Sequence, residues 1–219
     1  MNAKSNYIPA LKYNWLTQFY DGLLNTFLRE KTFKSKLIES VRQRNPKHIL
    51  DIGCGTATLS LMMEKAYPEA CVTGLDGDEN ILTIAKQKGT ATQSKIQLVQ
   101  AMSYNIPASA GLFDVVTSSL MLHHLNAEDK RRTLKEVHRV LQPNGTVAIV
   151  DWGKPSNFIM RGVFYLVQLL DGFETTTDNV KGKIPEYLTH AGFNDVKEIE
   201  KIDTILGTIS IYHGKKTNA

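Results

Sequence analysis

Cysteine is nearly absent: the 219 residues contain two, Cys54 and Cys71. Both sit in apolar stretches, which excludes a disulfide scaffold and leads us to expect a reducing, cytoplasmic setting. There is no internal repeat and no low-complexity stretch. Nor is there an uninterrupted run of about 20 apolar residues, the length a membrane-spanning helix needs. The most apolar segment, 158–173, is broken by Arg161, Gln168 and Asp171. Met1 to Asn6 is polar and lacks the apolar core of a signal peptide, so a soluble protein is expected. Charge of one sign is also scarce, and a formal net charge of +4 is too small to argue for a nucleic-acid partner by itself. What is present is ordinary: 42% hydrophobic and 22% charged residues exclude intrinsic disorder and describe a globular chain. Against about 150 residues per domain, the length favours one ample domain with additions.

Residues 7–44 read as helical, aromatic at first (Tyr13, Trp15, Phe19, Tyr20) and then basic, and Pro46 ends them. Beyond that point strands and helices alternate with short connections, as in a parallel sheet wrapped by helices. The spacing predicts strands at 48–52, 71–75, 96–99, 113–118 and 146–152. Helices fall between them, one capped by Asp78 and stopped by Gly89, another capped by Asn126. In the tail a helix is expected near 185–191, stopped by Gly192. Two strand-like stretches follow, 196–202 and 205–212, whose short connection predicts antiparallel pairing.

Chemistry concentrates at Asp51-Ile52-Gly53-Cys54-Gly55-Thr56-Ala57-Thr58, between the first strand and a helix. Glycines there allow a tight turn and let a ligand approach the backbone. A pyrophosphate-binding turn would carry a third glycine where this chain has Thr58, and Asp51 would repel pyrophosphate. A ligand bearing an ammonium and a sulfonium suits both departures. Asp76 ends the second strand where an acid can accept from two ribose hydroxyls, the alternative being a solvated helix cap. Phe113-Asp114-Val115-Val116 opens the fourth strand, and His138 to Gly145 leads from a helix into the fifth.

In this order the motifs resemble those of the class I S-adenosylmethionine-dependent methyltransferases, similar to the group that includes the ubiquinone and menaquinone enzymes. The resemblance covers roughly 46–152, and more weakly Leu188 to Phe193 and Thr204 to Tyr212. It implies an α/β, Rossmann-like, seven-stranded and mostly parallel sheet of order 3-2-1-4-5-7-6, with the last strand antiparallel and helices on both faces. It further implies S-adenosylmethionine as cofactor, S-adenosylhomocysteine as product, and no metal. The cofactor contacts it implies are Asp51, Gly53, Cys54, Gly55, Asp76, Gly77, Met102, Ser103 and Ser119. Cys54 itself is read as packing. Met102 stands where the family often has an acid contacting the adenine, and Gly77 where it has a bulkier apolar residue. Asn144 replaces a commoner glycine, a tolerable change because Asn also adopts positive φ.

For the transfer itself the candidates are His123, Asp151 and Tyr20. His123 and His124 follow the fourth strand, at the edge where open α/β sheets bind ligands, and an imidazole can take a proton from a phenol or amine. Asp151 and Trp152 end the fifth strand on the same edge, lining a pocket or serving as cap and wall. Tyr20 resembles a tyrosine that closes over the sulfonium in quinone-type relatives; otherwise it staples two helices. His190 is expected to face solvent. The chain divides into an N-terminal cap or lid (1–45), a cofactor core (46–152) and a substrate side (153–219). The acceptor is expected to be a small, partly apolar molecule, and the protein a monomer or homodimer. A nucleic-acid substrate is disfavoured, because after the fourth strand neither an Asn/Asp-Pro-Pro-aromatic run nor a cysteine nucleophile follows Thr117-Ser118-Ser119-Leu120. A non-catalytic cofactor-binding protein is the remaining alternative.

Overall fold

In the computed structural model, residues 30–217 are described; Tyr20 and the rest of 1–29 lie outside them. Helix α1 (Glu30–Ser40) and a short 3₁₀ turn (Arg42–Arg44) precede β1 (His48–Ile52). Then come α2 (Thr58–Ala66), β2 (Cys71–Asp76), α3 (Glu79–Ala91), β3 (Gln97–Gln100) and β4 (Phe113–Ser119). A 3₁₀ turn (Leu122–His124) leads to α4 (Ala127–Val140), β5 (Leu141–Trp152), α5 (Phe158–Asp171) and α6 (Phe173–Val180). The chain finishes with α7 (Ile184–His190), β6 (Asn194–Thr204) and β7 (Gly207–Lys215).

The seven strands form one sheet of order β3-β2-β1-β4-β5-β7-β6. β1 to β5 are parallel, while β7 runs antiparallel to both β5 and β6. Because helices cover both faces, the central strands bury both sets of side chains, as parallel sheets do. Ile49, Val115 and Val150 pack with Phe33 and Leu37 of α1, Leu59 and Met63 of α2, and Phe164 and Val167 of α5. Leu50, Val116 and Ile149 pack on the other side with Leu134 and Val137 of α4 and Ile184 and Leu188 of α7.

Two sequence expectations shift. β5 begins at Leu141 and not at Thr146, because Leu141 pairs with Phe113 across a bulge before the regular register resumes at Val115. Asn144 sits inside that irregular stretch at φ +63°, the left-handed conformation anticipated for it. Cys71, expected in an apolar environment, is exposed at the start of β2. Asp114 ties the opposite edge together: its carboxylate accepts from the Lys47 and His48 backbone N–H groups at 2.7 and 3.1 Å, fixing where β1 starts beside β4.

Candidate active site

From β1 the chain turns through residues 53–57 into α2. The φ angles at Gly53 (+63°), Gly55 (+55°) and Ala57 (+60°) alternate with negative values at Cys54 and Thr56. Such alternation directs successive backbone N–H groups toward one concave side. A Cβ on Gly53 would lie 2.2 Å from Met121 Cγ, so only glycine lets the segment after β4 close over the turn. At Gly55 the space a Cβ would occupy is open, and a ligand can reach the backbone there. The Cys54 side chain belongs to the interior. Its Sγ packs against Gly74, where an added Cβ would come within 3.0 Å, and burial pushes its thiol pKa upward, away from reactivity.

The turn is braced by two carboxylates. Asp76 Oδ2 accepts from Gly55 N–H at 2.9 Å and Oδ1 from Asp78 N–H at 3.0 Å. Each oxygen keeps lone-pair capacity for a further donor. Burial raises the Asp76 pKa, and the backbone donors pull against that. Asp78, not Asp76, caps α3, its Oδ1 accepting from Asn80 N–H at 2.8 Å. Asp51 is 1% exposed beneath the turn and accepts from Ser60 Oγ at 2.7 Å and Thr117 Oγ1 at 3.1 Å. Desolvation raises its pKa to about 6.

Across the sheet edge, β4 ends at Ser119, whose buried Oγ has no hydrogen-bond partner among the described residues. Leu120 follows at φ +52°, a conformation that costs a branched residue free energy and that clusters at functional sites. The 3₁₀ turn then brings His123 over the end of β5. His123 Nδ1 lies 2.7 Å from Asp151 Oδ1, and because an ionised carboxylate can only accept, Nδ1 carries the proton. Asp151 is fully buried and saturated: it also accepts from Trp152 N–H (2.7 Å), from Asn179 Nδ2 (3.2 Å) and from His123 N–H (3.3 Å). The charge of His123 and these donors hold the Asp151 pKa down, while the two acids Asp151 and Asp171 hold that of His123 up against burial. His123 Nε2 lies 3.7 Å from Asp171 Oδ2, on the last residue of α5. His124, its ring tilted 44° against that of His123 with centroids 4.0 Å apart, is pushed down to about 3 by burial and its neighbour His123, so it is neutral at ordinary pH.

Comparison with known proteins matches this architecture. A methyltransferase domain family matches residues 49–145. A demethylmenaquinone methyltransferase of Staphylococcus epidermidis is 34% identical over 167 residues, covering 75% of this chain and 68% of that protein. The chain belongs to the class I S-adenosylmethionine-dependent methyltransferases, in the ubiquinone and menaquinone group. A relative of the same name from Staphylococcus haemolyticus is 27% identical over 97% of this chain and 94% of its own length. Among solved structures, the methyltransferase SibL in its apo form aligns with a TM-score of 0.69 at 17% identity, over 91% of this chain and 58% of that one. Human N-acetylserotonin methyltransferase, in complex with S-adenosylmethionine, aligns at 0.68 and 16% identity, over 92% of this chain and 56% of its own. These two share the fold; this methyltransferase spans a little over half of their length.

S-adenosylmethionine is the cofactor, and the residues present fit it: the open backbone at Gly55, the half-satisfied carboxylate of Asp76 and the partnerless hydroxyl of Ser119 all lie at the carboxyl edge. Of the other residues singled out in the sequence, Gly77 adds its N–H to those favouring an ionised Asp76. Met102 is half-buried, and Ser103 Oγ lies 2.9 Å from Thr133 Oγ1 of α4, which engages that hydroxyl. Asp151, expected from the sequence at the pocket edge, has no exposed surface and faces His123. His190 is exposed as expected. Asn179, Asp171 and buried Lys130 were not anticipated. They come from α6, α5 and α4, whose meeting point no local motif signals. Arg139 was part of a quoted motif without a role: it donates to the Ile106 and Ala108 carbonyls at 2.9 and 2.8 Å and to Glu136, fixing the loop after β3.

Proposed function

We propose that the methyltransferase methylates a small, partly apolar ring of the quinol type, at an atom made nucleophilic by loss of a proton. The observation that carries this reading is the His123–Asp151 pair at the carboxyl edge of β4 and β5, with α5 beside it. A phenolic hydroxyl is a weak acid, and a positioned proton acceptor is worth about 10²–10⁴-fold in rate for such a group. When bound, S-adenosylmethionine supplies a methyl group on a sulfonium that departs as a neutral thioether. The protein's part is to hold the acceptor in line and dry, which lowers the barrier by about 7–11 kcal/mol. The name of the staphylococcal relatives, demethylmenaquinone methyltransferase, supports a quinone-type ring. So does α5, where Phe158, Leu166 and Leu169 are 84%, 61% and 70% exposed, an apolar stripe suited to a ring with a hydrocarbon tail.

In this reading Asp76 holds the ribose, the 53–57 turn and Ser119 the amino-acid end, and Met102 and Ser103 the adenine side, with Asp51 acting through the turn. Of the cap expected over 1–45, the described part, 30–45, belongs to the acceptor side in this reading; 46–152 hold the cofactor, and 153–217 complete the acceptor pocket. The packing of Phe33 and Leu37 in one cluster with Trp152 and Phe164 supports that division. Free thiols at Cys54 and Cys71 suit a reducing, cytoplasmic setting, and no helix among the described residues is long and apolar enough to cross a membrane. The experiment is methyl transfer from S-adenosylmethionine to a reduced naphthoquinone, set against its oxidised form and against DNA and RNA oligonucleotides. Product from the reduced ring alone is expected; product from an oligonucleotide alone would overturn the reading.

A further inference from the structure

His123 is the histidine at the right edge, yet neither of its ring nitrogens is free. It is 3% exposed, Nδ1 is bound to Asp151, and Nε2 faces Asp171 at 3.7 Å. The outermost group of the three is Asp171, whose side chain is 20% exposed against 4% for His123 and 0% for Asp151. We propose that Asp171 is the catalytic base that meets the acceptor, and that His123 and Asp151 are positioning residues aligned behind it. This rests on the quinol-type reading of the acceptor and adds the residue that takes its proton.

The fold holds Asp171 there deliberately. α5 ends at Asp171, and Gly172 at φ +95° bends the chain into α6. Only glycine takes that conformation without strain. The bend is tied on each side. Thr175 Oγ1 donates to the Asp171 carbonyl at 3.0 Å and Thr176 Oγ1 to the Gly172 carbonyl at 2.6 Å. Gln168 Nε2 lies 3.2 Å from Thr176 Oγ1, and Lys130, with no exposed surface, donates to the Thr175 carbonyl at 2.5 Å. A buried lysine spent on a backbone carbonyl is a costly way to fix a surface elbow unless the position of that elbow matters.

Electrostatics suit the role. Among the described residues, charged or polar groups reach His123 and Asp171 from several elements: His124 from the 3₁₀ turn, Asp151 from β5 and Lys130 from α4, while Asn179 of α6 holds Asp151 and Asp178 of α6 acts on Lys130. Burial raises the Asp171 pKa, with Asp151 adding to it and His123 opposing. A carboxylate so raised is a stronger base than one in water, and positive charge on His123 opposes the rise. In the step, the acceptor O–H bond breaks, its proton forms an O–H bond on Asp171, and the electron pair left on the acceptor becomes the nucleophile. The proton then leaves Asp171 for solvent, so the methyl cation equivalent gained by the acceptor is balanced by one proton released.

The test compares wild type with Asp171→Asn, with Asp171→Glu as the conservative variant, using a short-chain 1,4-naphthoquinol. We expect kcat to fall at least about 100-fold in Asp171→Asn, with affinity for S-adenosylhomocysteine unchanged and partial recovery in Asp171→Glu. In the free protein, the NMR titration of His123 should move to lower pH in Asp171→Asn, as loss of a nearby opposite charge requires. Wild-type turnover in Asp171→Asn would overturn the proposal, as would an unmoved His123 titration. Wild type that leaves the naphthoquinol untouched while His123 shifts as expected would overturn the choice of acceptor, on which the base role rests, and not the coupling of Asp171 to His123.

Discussion

Replacing Asp76 with alanine probes the cofactor site at its best-defined point. The Asp76 carboxylate accepts from Gly55 and Asp78 backbone N–H groups and retains capacity for two ribose hydroxyls. Each charge-assisted bond is worth about 1.5–3 kcal/mol. The site is half-open, so water can replace part of what is lost and the lower end applies: about 3 kcal/mol for the two ribose bonds, or roughly 100-fold in affinity. Loss of the Gly55 tie should also lower the unfolding temperature by a few degrees without abolishing the fold. Calorimetric titration with S-adenosylhomocysteine is the assay, and one cofactor per chain is expected for the wild type. Because only the ionised carboxylate can accept from both hydroxyls, wild-type affinity should also fall as pH drops through the raised Asp76 pKa, and the alanine variant should lack that dependence. A folded Asp76→Ala protein that binds within twofold of wild type refutes the ribose assignment.

Two further variants read the turn. Gly53→Ala places a Cβ 2.2 Å from Met121 Cγ at φ +63°, so it should cost about 1–2 kcal/mol from conformation alone and weaken S-adenosylhomocysteine binding; calorimetry and urea melts measure both. Asp51 has its folded pKa raised to about 6, so the stability it contributes is fully present below the unfolded value of about 4 and is lost as pH rises through 6. Two units correspond to about 3 kcal/mol, and Asp51→Asn should therefore be relatively more stable than wild type at pH 8 than at pH 4; parallel shifts at both pH values would refute the buried-carboxylate account.

The turn after β1 and the acid at the end of β2 were legible because their signals are local. Gly53 and Gly55 follow a strand and open a helix, Asp76 closes the next strand, and each neighbour sits within a few residues of the motif that names it. The sheet order came with the family resemblance, and the antiparallel β6–β7 pair came from a connection too short for a crossover. The acceptor half is different. His123, Asp151, Asp171 and Asn179 come from four elements, and nothing in the apolar run 158–173 marks Asp171 as other than a helix end. Asp151 was found by position, but only packing reveals that it has no exposed surface. The same holds for Lys130, which reads as one more charge on an amphipathic helix until α6 is laid across it.

The most direct test of the account is product analysis by mass spectrometry after incubating the protein with S-adenosylmethionine and a 1,4-naphthoquinol bearing a prenyl tail. The account predicts a singly methylated ring, one S-adenosylhomocysteine released per product, no product from the oxidised quinone, and a rate that collapses in Asp171→Asn. Binding of S-adenosylmethionine with no methyl transfer to reduced ring compounds, or transfer to an oligonucleotide in their place, would contradict it.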